Sequence, residues 1–489
     1  MIMFWFVSGI LFLLSRLYNI MSLPIFTDEA IYTRWSQIAK LDPNWRFISL
    51  TDGKQPLFVW INMIFMKFIS DPLLSGRLVS VFAGALTMVG IFFLARELFN
   101  RKVAIISVFL YIVYPFALVY DRMALYDSLV AAGAIWSLFF EILLIKKRRL
   151  DIALILGMVL GASVLTKTSG FLFIYLLPVS LLLFNWKSEK RNDQLIRWGT
   201  LAIVSTGFAY FYYSILRLSP FYHIINEKNA IFVYPLREWL THPFTFFVSN
   251  WSGQFNWLLT YMTLPVLLLI VGSFILNRKN LKEKLLLFSW FIFPFIALAL
   301  FGKTLYPRFI LFMTMPLLIL AAYSLSEIYK KIKLAPLILL LFTALMLKSD
   351  YFILTDFAKA PIAYSDLQQY ILDWPAGVGV KEAVKFFDEK SKSGKIFVAT
   401  EGTFGLMPYG LEIYLFKNKN VEIKGVWPIE DLPPKEATDA SKTKQVYFLF
   451  YQPCTQCKMP GDAPQSWPVK KELSFPRVNA GSLTIYSLR

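Results

Sequence analysis

Two adjacent acids, Asp28 and Glu29, stand in a short polar stretch between long apolar runs. A carboxylate can accept the proton of a hydroxyl group while a new bond forms to its oxygen. Tyr32 and Trp35 follow Asp28 at helical spacing, so the three side chains share one helical face. We interpret Asp28 and Glu29 as candidate catalytic acids, and Tyr32 and Trp35 as part of an acceptor loop. The alternative is an ordinary helix start, in which Thr27 caps the helix and the acids favour its dipole.

Basic residues stand in the same polar stretch and in three later ones. Lysine and arginine neutralise a phosphate group and stabilise the charge that grows on it when it leaves. The residues that we predict to bind a phosphate-bearing substrate are Lys54, Arg122, Asp127, Lys167, Lys303, Tyr306 and Arg308. Structural alternatives remain open: a salt bridge within residues 121–127, a lysine at position 167 that extends to the headgroups, and interfacial anchoring by residues 303–308.

The composition determines what kind of protein carries these residues. Of 489 residues, 57% are hydrophobic and only 17% are charged, and the mean hydropathy is +0.54. These values exclude a disordered chain, a coiled coil and a simple soluble enzyme, which could not hide so much apolar surface from water. We predict a polytopic α-helical membrane protein with about 11 spans, at about residues 2–15, 73–95, 103–119, 128–145, 152–166, 170–185, 198–216, 255–276, 285–301, 309–327 and 334–347.

The basic loops predict the orientation. Each follows an even-numbered span, and together they are Arg96 to Lys102, Lys146 to Asp151, Lys187 to Arg197, Arg278 to Lys284, and Lys330 to Lys333. Because positively charged loops remain in the cytoplasm, the N-terminus is predicted inside and the C-terminus outside. The apolar residues 57–69 are too few to span, and we predict a half-inserted helix on the external face. The first apolar segment is predicted to be a retained span. All the candidate site residues then lie at the external membrane edge.

Residues 349–489 differ in composition from the rest of the chain. They hold 17 basic and 16 acidic residues, so nearly all of the net charge of +18 belongs to the membrane part. Cytoplasmic loops explain that excess, and a nucleic-acid partner becomes unnecessary. The segment KEAVKFFDEK has a helical period, whereas KIFVAT, VEIKGVW, QVYFLFYQ and SLTIYSL are typical of strands. We predict a membrane domain over 1–348, with an external loop at 22–72 that carries juxtamembrane helices, and an extracytoplasmic α/β domain over 349–489.

Several segments resemble a known family. FTDEAIYTRWSQIA followed by GKQPLFVW is similar to the first external loop of GT-C-fold glycosyltransferases. DRMALYD, VLTKTSG and YPRFILFMTMPLLILAA are similar to later elements of the same fold. The resemblance covers roughly residues 1–330. It is greatest to the bacterial and archaeal protein O-mannosyltransferase-like family, which includes the aminoarabinose transferase of lipid A.

This resemblance implies a function and a site. The family's members invert the anomeric centre in one displacement and use a polyprenyl-phosphate monosaccharide as donor. The acceptor would be a hydroxyl group of a protein, lipid or glycan on the extracytoplasmic face. Asp28 matches the family's catalytic base and Asp127 its second acidic position. Lys54, Arg122 and Arg308 match positions that contact the phosphate or order the loops. We therefore expect a multi-pass, mannosyltransferase-like enzyme of the plasma (inner) membrane.

Two other classes of protein compete with this interpretation. A transporter or flippase of lipid-linked sugars predicts ionisable residues in mid-span and internal repeats. A non-catalytic scaffold predicts no need for a dense external set of acids and cations. No cofactor is predicted, and nothing in the sequence indicates a divalent metal. Cys454 and Cys457 lack two further zinc ligands nearby, so we expect a local disulfide, with two free thiols as the alternative.

Overall fold

The computed structural model describes residues 2–331, 335–451, 462–479 and 481–489. The α-helices, in chain order, are α1 (Ile2–Leu17), α2 (Thr27–Leu41), α3 (Leu57–Phe65), α4 (Pro72–Leu98), α5 (Arg101–Ile112), α6 (Pro115–Tyr120), α7 (Asp127–Lys147), α8 (Leu150–Thr166), α9 (Phe171–Leu176), α10 (Arg191–Ser214), α11 (Ile224–Phe232), α12 (Leu236–Trp239), α13 (Phe247–Met262), α14 (Leu264–Ile275), α15 (Leu281–Phe301), α16 (Leu311–Lys331), α17 (Ala335–Thr355), α18 (Tyr364–Leu367), α19 (Val380–Ser391), α20 (Leu406–Leu415) and α21 (Lys435–Ala440). The strands are β1 (Ile25–Phe26), β2 (Ala376–Gly377), β3 (Ile396–Glu401), β4 (Val421–Val426), β5 (Gln445–Phe450), β6 (Val469–Pro476) and β7 (Ser482–Leu488). The expected disulfide of Cys454 and Cys457 lies outside the described residues.

Six helical segments of the described chain are long and apolar enough to cross a membrane. They are Pro72–Leu98, Asp127–Lys147, Arg191–Leu218, Leu281–Phe301, Pro307–Lys330 and Leu337–Thr355. A seventh is present if α13 and α14, which meet at an angle of 99°, form one broken span. Three shorter apolar segments are Ile2–Leu17, Leu150–Thr166 and Thr168–Leu183. The structure is therefore that of a multi-pass membrane protein, and the count of eleven spans and the orientation stay predictions.

Proline explains where predicted runs are broken. The run predicted at 103–119 divides into α5 and α6 at Pro115, which has no N–H to donate to the preceding turn. The run at 255–276 bends where Thr263 takes a positive φ of 64°, two residues before Pro265. Helix α3 has nine residues, which is too short to cross a bilayer.

The chain forms two compact units. The membrane unit comprises Met1–Tyr18, Asn44–Ile61 and Leu78–Ala363, and the sheet unit comprises Asn19–Pro43, Asn62–Arg77 and Tyr364–Arg489. The predicted boundary at Ser349 lies inside α17, and two segments of the first polar stretch belong to the sheet unit. The reason is packing, because Ile25, Ala30 and Leu73 are buried in the same apolar core as the sheet.

The sheet unit is an α/β layer structure. Its five-stranded sheet has the order β4-β3-β5-β7-β6; β3 runs parallel to both neighbours, whereas β5, β7 and β6 pair antiparallel. Alternate residues of β3 face opposite cores, with Val398 in the core that holds α19 and α20 and Phe397 in the other. The predicted helix and four strands are present. Strand β6 was not predicted, because it is an edge strand whose side chains are mostly exposed or half-buried.

A buried ion pair organises one end of the membrane unit. Arg16 Nε lies 3.3 Å from Asp121 Oδ2, and both side chains are almost fully buried. Asp121 also accepts hydrogen bonds from the hydroxyls of Tyr111 and Ser128, each at 2.9 Å. Gly84 makes room for this carboxylate, since a Cβ there would lie 2.6 Å from it. The polar stretch before α7 is therefore fixed to the helices around it.

Candidate active site

Helix α2 carries the predicted acids at its start, within the sheet unit. Strand β1 pairs with β2 immediately before the helix. The alternative in which Thr27 caps α2 does not fit the structure: Thr27 is the first helical residue, and its hydroxyl donates to Pro375 O at 3.0 Å. The backbone N–H of Phe26 is instead satisfied by Glu29 Oε2 at 3.0 Å. A carboxylate thus closes the first turn, which is favourable at a helix N-terminus.

Glu29 is held on both oxygens by Arg77. Nε of Arg77 donates to Oε1 at 2.9 Å and Nη2 donates to Oε2 at 2.8 Å, and both side chains are 0% exposed. The same guanidinium donates to the backbone carbonyls of Ile20, Leu23 and Pro24. A bidentate, buried pair is rigid and occupies both carboxylate oxygens of Glu29. The geometry therefore fits a positioning role for Glu29 better than that of a base.

Asp28 differs from Glu29, because its side chain is half-buried whereas that of Glu29 is fully buried. Tyr32 and Trp35 are 4% and 1% exposed, and their rings lie 5.7 Å apart. Trp35 also packs against Phe404, at 6.2 Å between ring centroids. This burial argues against the acceptor-contacting role predicted for the two aromatic residues, which instead anchor the helix. Of the two predicted acids, Asp28 is the one whose accessibility suits a base.

Tyr414 is another titratable group of this neighbourhood. Burial raises the pKa of its hydroxyl above the usual value, the carboxylate of Asp71 raises it further, Arg77 opposes the shift and Glu29 adds to it. Tyr414 therefore stays protonated at neutral pH and can only donate or accept a hydrogen bond in its neutral form. It does not compete with Asp28 as a general base.

The membrane unit brings several predicted phosphate ligands together. Lys167 Nζ lies 2.8 Å from Asp127 Oδ1 and 4.5 Å from the centroid of the Phe309 ring. Lys54 Nζ lies 5.1 Å from the centroid of Phe232, and the rings of Phe232 and Phe309 are 5.8 Å apart. Two cations from different loops therefore flank one aromatic pair, which is a geometry that cation–π attraction stabilises.

Tyr306 and Arg308 extend the same group of side chains. The ring of Tyr306 contacts Phe309 at 5.6 Å, and Arg308 Cζ lies 4.9 Å from the Tyr306 ring centroid. Arg308 is 9% exposed. We name the set of Lys54, Lys167, Phe232, Tyr306, Arg308 and Phe309 the cation–aromatic cluster. Within the described residues, the carboxylate of Asp127 pairs directly with one member of the cluster, Lys167.

Lys303 lies at the border of this cluster. Its backbone N–H donates to Phe232 O at 2.8 Å. Its side chain turns toward Tyr234 and Glu238, with 3.6 Å between Nζ and the Glu238 carboxylate, and is 40% exposed. The predicted role of Lys303 in phosphate binding is therefore less well supported by its surroundings than that of Lys54 or Arg308.

The loop that presents Lys54 is held tightly. Gly53 has φ = 65°, and a Cβ there would lie 2.6 Å from Lys228 Cβ and 2.7 Å from Ile224 O. On one side of it, Asp52 pairs with Lys228 at 2.6 Å. On the other, Gln55 donates to Thr168 Oγ1 at 2.7 Å. Only glycine combines this backbone conformation with such a close approach.

Arg122 has different surroundings from the other predicted cations. It is 1% exposed, and its guanidinium donates to the carbonyls of Tyr18 at 2.7 Å and Ile353 at 3.4 Å. These bonds fix the stretch before α7 to the ends of two helices. Of the two roles that the family resemblance implied for Arg122, the geometry favours ordering the loop over contact with the phosphate.

Sequence reasoning did not identify Arg77, Phe232 or Phe309 as site residues. Arg77 could have been noticed in the sequence as a candidate functional residue, because it is a lone basic residue near the start of a long apolar run. Nothing in the sequence links it to Glu29, which is 48 positions away. Within the residues that the structure describes, no group of three or more His, Cys, Asp or Glu side chains is placed to hold a metal ion.

Part of the chain is similar to known proteins. Residues 53–213 match the family of dolichyl-phosphate-mannose-protein mannosyltransferases. The undecaprenyl phosphate-alpha-4-amino-4-deoxy-L-arabinose arabinosyl transferase of Pectobacterium carotovorum is 26% identical over 261 residues. That match covers 49% of this chain and spans only 44% of the relative's length.

Solved structures with the same fold cover most of the chain. The crystal structure of ArnT from Cupriavidus metallidurans bound to undecaprenyl phosphate superposes with a TM-score of 0.54 at 13% identity, over 99% of this chain and 97% of that one. The oligosaccharyltransferase AglB from Archaeoglobus fulgidus, in complex with an inhibitory peptide and a dolichol-phosphate, gives 0.53 at 13% identity, over 92% and 69%. Likeness at this identity shows the fold alone. Together with the family match, it confirms that the chain resembles the GT-C-fold glycosyltransferases of the protein O-mannosyltransferase-like and aminoarabinose transferase-like family.

Proposed function

We propose that this protein is an inverting glycosyltransferase. It moves a monosaccharide from a polyprenyl-phosphate donor to a hydroxyl group of an acceptor at the extracytoplasmic face of the plasma (inner) membrane. The observation that carries the proposal is the cation–aromatic cluster, in which Lys54, Lys167 and Arg308 come from three separate loops and meet around one group of rings. Names of relatives support it, since those relatives use or bind undecaprenyl or dolichol phosphates.

The cations of the cluster act on the leaving group. When the bond between the anomeric carbon and the phosphate oxygen breaks, the departing polyprenyl phosphate gains negative charge. Lys54 and Arg308 stabilise that charge most effectively if they are already in place, since no reorganisation is then needed during the reaction. Asp127 holds Lys167 at 2.8 Å and so orients a third cation of the set. No metal is required by this account of the charge balance.

Asp28 acts as the general base. A hydroxyl of pKa about 16 loses its proton only as its oxygen attacks the anomeric carbon, and a positioned carboxylate contributes about 10²–10⁴-fold to that step. Glu29, fixed by Arg77, positions Asp28 by holding the first turn of α2 in place. One displacement by the acceptor oxygen inverts the anomeric carbon.

The identity of the transferred sugar is the more specific part of the proposal. The matched family is named for mannose and the curated relative for 4-amino-4-deoxy-L-arabinose. Both names describe monosaccharides carried on a polyprenyl phosphate, which is the donor class that the cluster suits. A panel of undecaprenyl-phosphate donors with mannose or aminoarabinose, given to the purified protein, identifies the preferred sugar by the release of undecaprenyl phosphate.

The test of the mechanism is Asp28→Asn. This substitution preserves the side chain's shape and removes its ability to accept a proton. We expect transfer of radiolabelled sugar to membrane acceptors to fall by about 100-fold or more, with donor binding and the thermal unfolding midpoint unchanged. Asp42→Asn, at the other end of α2, is the matched control. Near-normal turnover of Asp28→Asn would exclude Asp28 as the base, and loss of donor binding would show a different role.

A further inference from the structure

A groove of about 450 Å³ opens at the end of the membrane unit where α5 begins and α16 ends. Its lining residues are Arg101, Lys102, Ile105, Ile106 and Tyr329. Two cations and an aromatic ring therefore share one opening with two branched aliphatic side chains. None of these residues belongs to the candidate active site.

The positive charge of the groove is available to a ligand. Arg101 and Lys102 are both exposed, and in the described part of the chain neither forms an ion pair with an acid. The acids of the adjoining helices are already neutralised: Glu97 pairs with Lys146 at 2.9 Å, and Glu327 pairs with Lys330 at 2.6 Å. The opening of the groove therefore has a net charge of about +2, which attracts an anion.

Tyr329 orients one of the two cations. Lys102 Nζ lies 4.7 Å from the centroid of the Tyr329 ring, so the ammonium group is held at the groove instead of extending freely into water. Tyrosine is also a residue that is enriched where a bilayer meets water. The groove thus combines the position and the charge of a headgroup site.

The wall of the groove is apolar. Ile106 is buried and Ile105 is half-buried, and both lie one turn beyond the cations on α5. A small soluble anion would gain nothing from these side chains, whereas the first carbons of an acyl chain would be removed from water there. The predicted orientation places this end of the helices in the inner leaflet, where anionic lipids attract basic residues.

We propose that this groove binds an anionic glycerophospholipid, with the phosphate between Arg101 and Lys102 and the start of an acyl chain against Ile105 and Ile106. The proposal is independent of the sugar transfer proposed above. Charge complementarity identifies the occupant, and the apolar wall distinguishes a lipid from free phosphate.

Native mass spectrometry of the full-length protein in detergent tests this. We expect dioleoylphosphatidylglycerol to bind at least about tenfold more tightly than dioleoylphosphatidylcholine, because each basic residue contributes to the attraction of an anionic headgroup. The preference should fall below about threefold in Arg101→Gln/Lys102→Gln. It should persist in Lys187→Gln/Arg191→Gln, which removes the same two charges from another exposed basic loop. Tyr329→Phe keeps the ring and should keep the preference, and Tyr329→Ala should weaken it.

Three results would overturn the proposal. The first is a wild-type protein that does not distinguish the two lipids. The second is an equal loss of preference in the groove variant and the control variant, which would indicate a diffuse effect of surface charge. The third is inorganic phosphate displacing phosphatidylglycerol at equal concentration, which would make the groove a site for a soluble anion.

Discussion

At the scale of single residues, Glu29 and Arg77 form a charged pair at the start of α2. Their pair is fully buried and bidentate. Removing one partner of such a pair leaves a charge without compensation in a dry environment, which costs about 3–5 kcal/mol. Replacing both partners avoids that penalty, so the stability of the double variant reports the coupling between them.

We therefore expect Glu29→Gln and Arg77→Met each to lower the thermal unfolding midpoint of the purified protein strongly. The double variant Glu29→Gln/Arg77→Met should be destabilised by less than the sum of the two single effects. Arg34→Met is a useful comparison, because its pair with Glu412 is partly exposed and should contribute little. Strictly additive effects in the double variant would contradict the proposed pairing.

The cations of the cluster should differ in their importance for donor binding. Losing a charged hydrogen bond to a phosphate costs about 1.5–3 kcal/mol, so Lys54→Ala and Arg308→Ala should each weaken the binding of a polyprenyl-phosphate donor about tenfold or more. Arg308→Lys should restore only part of the loss, since an ammonium group cannot make a bidentate contact. Lys303→Ala, whose side chain is partly exposed and lies near Glu238, should have a smaller effect. If all four variants bind the donor within twofold of the wild-type affinity, the result would favour a role of these cations in anchoring the protein at the membrane surface.

The residue types of the site were predictable, but their partners were not. Asp28 and Lys54 stand out in the sequence because polar stretches between apolar runs are short and few. The bidentate partner of Glu29 lies on another helix, and the rings of Phe232 and Phe309 are two of 46 phenylalanines. Contacts between distant segments depend on packing, which local spacing does not encode. For the same reason the burial of Tyr32 and Trp35 was not predicted, nor was the contact of the Trp35 ring with Phe404.

At the scale of elements, hydrophobic period and β-branched runs predicted most segments. The strands β3, β4, β5 and β7 were predicted because they alternate or are continuously apolar. The helices broken at Pro115 and Pro265 were predicted as single runs. Proline lacks the backbone N–H that continues a helix, but this does not change the average hydropathy from which the runs were predicted. The placement of α2 in the sheet unit depends on long-range packing of Ile25 and Ala30.

The loop that carries Lys54 gives a prediction at this scale. Gly53→Ala forces a side chain into a left-handed conformation, which costs about 1–2 kcal/mol, and into contact with Lys228 and Ile224. We expect donor binding to weaken about tenfold, because a displacement of about 1 Å can be this costly for a charged contact. Gly199→Ala is the control, since its Cβ would meet nothing within 4 Å. If both variants bind donor as wild type does, the loop is more adaptable than its contacts indicate.

At the scale of the whole molecule, charge asymmetry is the feature from which we predict the orientation. The part of the chain before Ser349 holds nearly all of the excess positive charge, and it is concentrated in loops at alternate helix connections. Inserting the chain the other way would carry those loops across the bilayer, which the positive-inside rule disfavours. An odd number of spans puts the two ends of the chain on opposite sides of the membrane, and an even number puts them on the same side. That number depends on whether the shorter apolar segments span and on whether α13 and α14 cross as one broken helix.

Reporter fusions test the orientation directly. Alkaline phosphatase is active only outside the cytoplasm, and green fluorescent protein exported unfolded stays dark. We expect a phosphatase fused after Arg489 to be active and a fluorescent fusion there to be dark, because the sheet unit ends on the extracytoplasmic side in the predicted topology. The same reporters fused after Arg148, in a basic loop between α7 and α8, should give the opposite result. A fluorescent fusion at Arg489 together with an inactive phosphatase there would reverse the orientation and place the proposed sugar transfer on the cytoplasmic face.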